Sequence, residues 1–455
     1  MKSVAKKLLS PVPPQLTKIT SHSDPFSLSE RAAKIKPLGS ALALGSTVFY
    51  AFEQLGILKD IWDFSIDMKC IELKNEKMEK LATVQMKDEA KIAGYATRLF
   101  ARHDLHELMV RQIPPEKISM SKKVVRIDEG ADGVTIHCAD GSSHVGHIVV
   151  GADGAYSSIR ECMYKKMADQ GILPKADSED LVPGFTGMVG ITRPMDPEKY
   201  PQLKELDHCH FEVVVAGSSH GCAVWCLPSK QIAWSLSIQF PNVAEAKKQM
   251  FENAEWSPEA LESMIKEFRD FPCPYNGTIG NLIDETPKDS ISKVYLQHKI
   301  FQTWHHARSV LLGDACHKLL MAGGQGAINA IQDSIILANC LYDLEDNSQK
   351  SITAAFQSYY EQRYKHAKAR YDDSVLAAKV FAGATWTDRL VRTVLFNYLP
   401  ESIQQLQFKA ISSYRPQITF LPRVPFQGTG SVLPQLPSKR YQREQEEEMK
   451  RSVAA

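Results

Sequence analysis

Apolar positions along this chain change their spacing several times, and each change marks an element. Over 43–58 they fall at helical steps, with Val48, Phe52 and Leu55 four and three apart, and Gly56 stands where a helix would stop. A second helical stretch, 102–111, puts Leu105, Leu108 and Met109 on one face before Pro114 and Pro115 end it. The period then drops to two. Residues 123–128 and 134–138 alternate, separated by Gly130 and the Asp132-Gly133 pair, and Asp140-Gly141 turns the chain once more. A third run, 144–150, ends in Ile148-Val149-Val150, an apolar tip suited to a buried sheet. Residues 26–30 predict a short strand.

The second half is strand-rich first and helical afterwards. From 183 to 294 the chain is aromatic and alternating, with strands predicted at 211–216, 221–227 and 232–240 and one covered face. A helix is predicted over 255–269 and a short buried strand over 310–312. A long helix follows at 327–344, with Ala327, Ile331, Ser334, Ile335, Ala338 and Leu341 on one face, and another at 352–380. Residues 440–451 are so charged that they read as a solvated tail, and no internal repeat is visible.

Composition narrows the classes. The chain has 455 residues, which predicts two or three domains. With 44% hydrophobic and 24% charged residues it is neither disordered, collagenous nor a coiled coil. Lys plus Arg number 54 against 53 Asp plus Glu, so no global field favours nucleic acid, and partners must be argued from sites. Nine cysteines without a CxxC pair match neither a disulfide framework nor zinc, which points to a reducing, cytoplasmic setting. No apolar stretch approaches the ~18–20 residues of a membrane span. Residues 1–25 form a polar, proline-containing leader of unclear role, with Lys2, Lys6, Lys7 and Lys18 and no apolar core.

Two segments carry the chemistry. In the first, an apolar strand delivers Gly151-Ala152-Asp153-Gly154, and Ser157, Ser158 and Arg160 follow at the start of a helix. Glycine lets the backbone turn sharply and approach a ligand, and a helix start presents free N–H groups to an anion. In the second, Val310-Leu311-Leu312 leads to Gly313-Asp314-Ala315-Cys316-His317, and Gly323-Gly324-Gln325-Gly326-Ala327 opens the long helix. Asp314 stands at the carboxyl end of a strand, where open α/β sheets bind ligands. Either segment alone also reads as a tight strand-to-helix turn with an N-cap Asp.

Together, 161 positions apart between Asp153 and Asp314, the segments resemble those of FAD-dependent monooxygenases of the para-hydroxybenzoate hydroxylase type, the class A flavoprotein hydroxylases. Within that family the chain is similar to the fungal branch that oxidises terpenoid and polyketide intermediates. The resemblance runs from about 26 to 344. It implies an α/β fold: a Rossmann-like FAD-binding domain over 26–182 and 295–380, an inserted β-sheet substrate domain over 183–294, and a helical region with the charged tail over 381–455. It implies FAD as cofactor, NAD(P)H as electron donor, O2, and a small apolar organic substrate, with no nucleic acid, no metal and no membrane span. By the same resemblance the FAD-binding residues are Asp153, Gly154, Gly313, Asp314, Gly324, Gly326 and Ala327, with Ala43 as a backbone contact. Glu30 matches the family's acceptor of the adenosine ribose hydroxyls, and Arg102 its arginine near the flavin.

The departures are as specific. No glycine precedes Gly39 and GxGxxG occurs nowhere, so the first strand and helix of the Rossmann unit are missing from the pattern. This predicts an incomplete or re-started version of a longer flavoprotein. Met321 stands where the family has Pro, and Ile328 where it has Asn, with Asn329 one place late. No acid–base residue is identifiable, and the catalytic residues stay unassigned. Asp333 reads as structural, His317 as either structural or near the flavin, and His305-His306 as a strand edge. Lys318 keeps a halogenase in view as the alternative flavin chemistry, with an oxidase beside it. The missing GxGxxG keeps open a non-catalytic remnant that does not hold FAD.

Overall fold

A computed structural model describes residues 26–34, 39–204, 206–215, 219–252, 258–383, 386–397 and 401–454. The leader at 1–25 lies outside them, as do residues 255–257 of the helix expected over 255–269, which is observed as Pro258–Phe268.

The largest sheet has eight strands. Its middle is built from the three predicted strands, observed as Phe211–Val215, His220–Cys226 and Ile232–Gln239 and antiparallel to one another. Val182–Ile191 pairs with Ile232–Gln239 on one edge and with Ser292–Ile300 on the other. The sheet is wider than 183–294. It takes up the hairpin Cys70–Lys74 and Lys80–Gln85 at one end and His317–Lys318 at the other. One face is covered by the Pro258–Phe268 and Ile279–Asp284 helices, whose Phe268 and Leu282 pack with Met188, Val224, Trp234 and Leu236. Trp234 is fully buried, and its indole N–H donates to Thr286 Oγ1 at 3.0 Å, so this bulk enters the core without an orphaned donor.

Outside the large sheet, parallel pairing occurs in two places. Leu28–Ser29 runs parallel to Ile118–Ser119. Val149–Gly151 runs parallel to Ser309–Leu311, whose other edge takes His305–His306. Among the described residues no strand pairs with the remaining edge of Leu28–Ser29 or of Val149–Gly151.

Two expectations change. The helix predicted over 43–58 begins only at Ser46 and ends at Gln54. Residues Ala41–Leu44 are a strand instead, antiparallel to Arg98–Ala101, and Ala43 sits opposite Leu99. Four apolar residues fit either period, and the distant partner decides. The run 144–150 is likewise not one strand. Ser143–Gly146 closes the antiparallel meander with Val134–Cys138, whereas Val149–Gly151 joins the parallel pair. Arg308 separates them: its Nη1 donates to the His147 carbonyl at 3.1 Å, and its own carbonyl accepts the Val149 N–H at 3.0 Å.

The long helices are Gly326–Tyr342 and Gln349–Ala382, packed together with the Ser158–Asp169 helix around Trp304, Ile336, Phe356 and Tyr359. The charged tail is itself a helix, Lys439–Ala454. Its first turns are anchored by Ser438, which donates to Asp343 at 2.5 Å, and by a hydrogen bond from Tyr342 to Glu444. No helix among the described residues is long and apolar enough to cross a membrane.

Candidate active site

The first segment folds as strand, turn and helix. A Cβ on Gly151 would lie 2.8–2.9 Å from the side chains of Leu311 and Ile159, so only glycine lets strand and helix close on each other. The N-cap of the Ser158–Asp169 helix is Ser157, whose Oγ accepts the Arg160 N–H at 3.0 Å and donates to Asp153 at 2.5 Å. Asp153 also accepts the Ile159 N–H at 3.2 Å, so its carboxylate is engaged with the helix start. Gly154 has φ +82°, and nothing stands within 4 Å of where its Cβ would be.

Arg160, the last residue of that segment, joins it to the second. Its buried guanidinium donates to the Ala155 carbonyl at 2.7 Å and to the Ala315 carbonyl at 2.8 Å, with the Phe301 ring 4.3 Å away. Burial lowers the Arg160 pKa, and two carbonyls and a ring face compensate for lost water.

The second segment leaves its strand at Gly313, which has φ +60° and opens a short 3-10 turn, Gly313–Ala315. The turn is held from the Gly326–Tyr342 helix by Asp333. One carboxylate oxygen accepts the Gly313 N–H at 2.9 Å and meets His317 Nε2 at 2.5 Å; the other accepts Arg363 Nε–H at 2.7 Å. Asp333, His317 and Arg363 are at most 1% exposed. Burial pushes the Asp333 carboxyl up, but His317 and Arg363 outweigh it and hold it below its ordinary value. Cys316, His317 and Asp333 come within 4.8 Å of one another, as metal ligands do. Here, however, the guanidinium occupies the carboxylate, and burial pushes the Cys316 thiol up, against the thiolate a metal needs.

Asp314 points the other way. Its side chain is about a third exposed and pairs with Lys318 at 2.6 Å. Beyond it, Gly323 packs on Ser374 of the Gln349–Ala382 helix, while Gly324, at φ +62°, and Gly326 have nothing within 4 Å of a built Cβ. Half-buried Ala327 follows in the first turn of the helix. Three backbone positions, Gly154, Gly324 and Gly326, are thus open to a ligand.

Glu30 and Arg102 lie around one helix. Glu30 accepts the Ala32 N–H at 2.8 Å, and Arg102 opens the Arg102–Arg111 helix with its N–H on the Ser40 carbonyl at 2.9 Å. Burial lowers the His106 pKa; Arg102 lowers it further and Glu30 opposes, so both charges act on that imidazole. Ala43 is in its strand, half-buried.

Residues 274–374 match the model of an FAD binding domain. The FAD-dependent monooxygenase ausM of Penicillium brasilianum is 24% identical over 407 residues, covering 86% of this chain and 81% of that protein. The FAD-dependent monooxygenase paxM of Penicillium paxilli is 28% identical over 291 residues, 62% of this chain and 58% of that protein. The chain belongs to the FAD-dependent monooxygenases, within the class A flavoprotein hydroxylases. Its fold agrees. HpxO of Klebsiella pneumoniae, complexed with FAD and uric acid, has a TM-score of 0.66 at 17% identity over 85% of this chain and 89% of that one. A salicylate hydroxylase in complex with its substrate has a TM-score of 0.59 at 18% identity, over 84% and 92%.

In this monooxygenase the residues fit a flavin on one side. The open backbones of Gly154, Gly324 and Gly326, the outward Asp314 and the start of a 17-residue helix leave room and complementary charge for it. The sequence contains no GxGxxG, and among the described residues no strand pairs with the remaining edges of Leu28–Ser29 and Val149–Gly151. The other departures have local causes. Ile328 is buried in the core with Leu44 and Phe100, whereas Asn329, fully buried, accepts from Arg363 at 2.9 Å and donates to the Gln325 carbonyl. The amide therefore serves the interior, and Met321 is exposed. Sequence reasoning missed the roles of Arg160 and Arg363. Arg160 was visible within the first segment; Arg363, one of several cations on a long helix, carried no signal.

Proposed function

We propose that this FAD-dependent monooxygenase inserts one atom of O2 into a small apolar organic substrate at the expense of NAD(P)H, the second atom leaving as water. The observation that carries this reading is the meeting of the 313–318 turn with the open-backbone start of the Gly326–Tyr342 helix. FAD, when bound, supplies the redox chemistry. Asp314 would hold its ribityl chain or a phosphate-linked water. Gly313, Gly324, Gly326 and Ala327 would line the ring through their backbone, and Gly154 with Asp153 the adjoining turn. Glu30 would accept the adenosine ribose hydroxyls, with Arg102 on the pyrophosphate or the flavin's polar edges. The helix start, with about half a positive charge, favours negative charge at the ring edge it faces.

On this reading the two parallel pairs belong to one Rossmann-like sheet, 26–182 and 295–380 form the FAD domain, and the segment 183–294 supplies most of the substrate side. Its wide sheet, with one face packed by apolar side chains, is suited to excluding water from the reaction. Substrate-dependent NAD(P)H oxidation in the presence of FAD, with one ¹⁸O atom from ¹⁸O2 in the product, is the test. Label arriving from water instead would move the assignment to another flavin reaction.

A further inference from the structure

Asp333 reaches the 313–318 turn at two points and nowhere else. It accepts the N–H of Gly313 and meets the imidazole of His317 with the same oxygen, at 2.9 and 2.5 Å. The partly exposed ion pair of the turn joins Asp314 and Lys318, the residues that directly follow those two points. Gly313 needs its hold because its backbone is left-handed at the exit of a strand. His317 needs it because its other nitrogen, Nδ1, is buried without a hydrogen-bond partner, and the imidazole lies beside the Trp304 ring with centroids 5.2 Å apart. Asp333 is in turn oriented by Arg363, whose guanidinium is shared with Gln332 at 3.2 Å and Asn329 at 2.9 Å.

We infer that Asp333 is a positioning residue of the flavin site: through Gly313 and His317 it sets the spacing and direction of the Asp314–Lys318 pair that meets FAD. This rests on the reading that the 313–318 turn borders the cofactor. Asp333, fully buried and paired with His317 and Arg363, acts through the turn. It replaces the flexibility of a six-residue turn with two fixed points on a rigid helix, which is how a charged pair is kept in a productive geometry.

The test uses the full chain and titrates FAD by quenching of its fluorescence, beside a thermal midpoint measured without FAD. His317→Leu fills the space but cannot donate to Asp333, whereas the amide of His317→Gln can. The leucine variant is expected to bind FAD about tenfold more weakly, the loss of one charge-assisted hydrogen bond, and the glutamine variant to recover most of that affinity. Both variants lower the cofactor-free midpoint, so rescue of affinity separates positioning from stability. Equal affinities for the two variants, or a leucine variant within about twofold of the parent, would overturn the inference. Should His317→Leu not purify, His317→Asn, whose amide is too short to reach Asp333, takes its place with the same expectation. Asp314→Ala is the control for the underlying reading: parental affinity in that variant, or no FAD uptake by the parent chain, removes the turn from the cofactor and the inference with it.

Discussion

Arg160 donates to the carbonyl of Ala315 at 2.8 Å while its other terminal nitrogen holds the carbonyl of Ala155 at 2.7 Å. One buried guanidinium thereby fixes the distance between two turns that are far apart in sequence. Both turns follow the carboxyl ends of the parallel strands Val149–Gly151 and Ser309–Leu311, so this contact ties the two strand ends together. A lysine has a single nitrogen and cannot hold both carbonyls at these angles. Arg160→Lys is therefore expected to lower stability by about 2 kcal/mol and Arg160→Leu by about 3 kcal/mol, since each leaves at least one buried carbonyl without a donor. Urea denaturation of the variants checks this; midpoints equal to the parent's would show that the two turns hold their distance without Arg160.

Asp314→Asn keeps the shape of the outward side chain and removes its charge. FAD binding is expected to weaken by about 1.5–3 kcal/mol, the range of a charge-assisted hydrogen bond, or about ten- to a hundredfold. Because Asp314 is partly exposed and, among the described residues, pairs with Lys318 alone, the cofactor-free stability should change little. Isothermal titration with FAD measures the first effect and urea denaturation the second.

Gly326 offers a cleaner probe of the open backbone. A Cβ there meets nothing within 4 Å beyond its own helix and the backbone needs no left-handed conformation, so Gly326→Val is expected to leave cofactor-free stability within about 0.5 kcal/mol. A ligand lying against that backbone would collide with the new methyls. FAD affinity is expected to fall by about tenfold or more. An unchanged affinity would place the cofactor elsewhere.

Glu89 gives a pH signature away from the site. It is 6% exposed, and burial pushes its carboxyl up to about 7, offset only in part by the Thr97 N–H at 3.1 Å. The folded value thus exceeds the ordinary 4.5. Between those two values the folded protein keeps a proton the unfolded chain has released. The stability this group contributes therefore falls as pH rises through that window and is constant above it. Glu89→Gln keeps an acceptor for Thr97 and abolishes the titration. It is expected to gain on the parent from about pH 4.5 upward, by as much as about 3 kcal/mol at pH 8. Urea midpoints across that range are the measurement, and parallel curves for the two proteins would refute the assignment.

The sequence by itself determined the elements whose signals are local. The alternating runs around Val134, Val224 and Leu236 became strands because a period of two permits one buried face, and the helical runs after Arg102 and Gly326 became helices for the corresponding reason. The two glycine- and acid-bearing turns were legible because glycine, acid and strand end stand at fixed short spacings in each. For the same reason the absence of GxGxxG from this sequence could be read directly.

Tertiary structure decided everything that depends on a partner far along the chain. Ala41–Leu44 is a strand because Arg98–Ala101 lies beside it, and Cys70–Lys74 enters the large sheet through a parallel pairing with Phe211–Val215 that no local pattern announces. Asp333 was legible as structural, but its hold on Gly313 and His317 was not. That hold depends on Arg363 arriving from the next helix, and a buried charge takes its meaning from the group that compensates it. Hydrophobic period is a property of a few neighbouring residues, whereas compensation of a buried charge is a property of the assembled core.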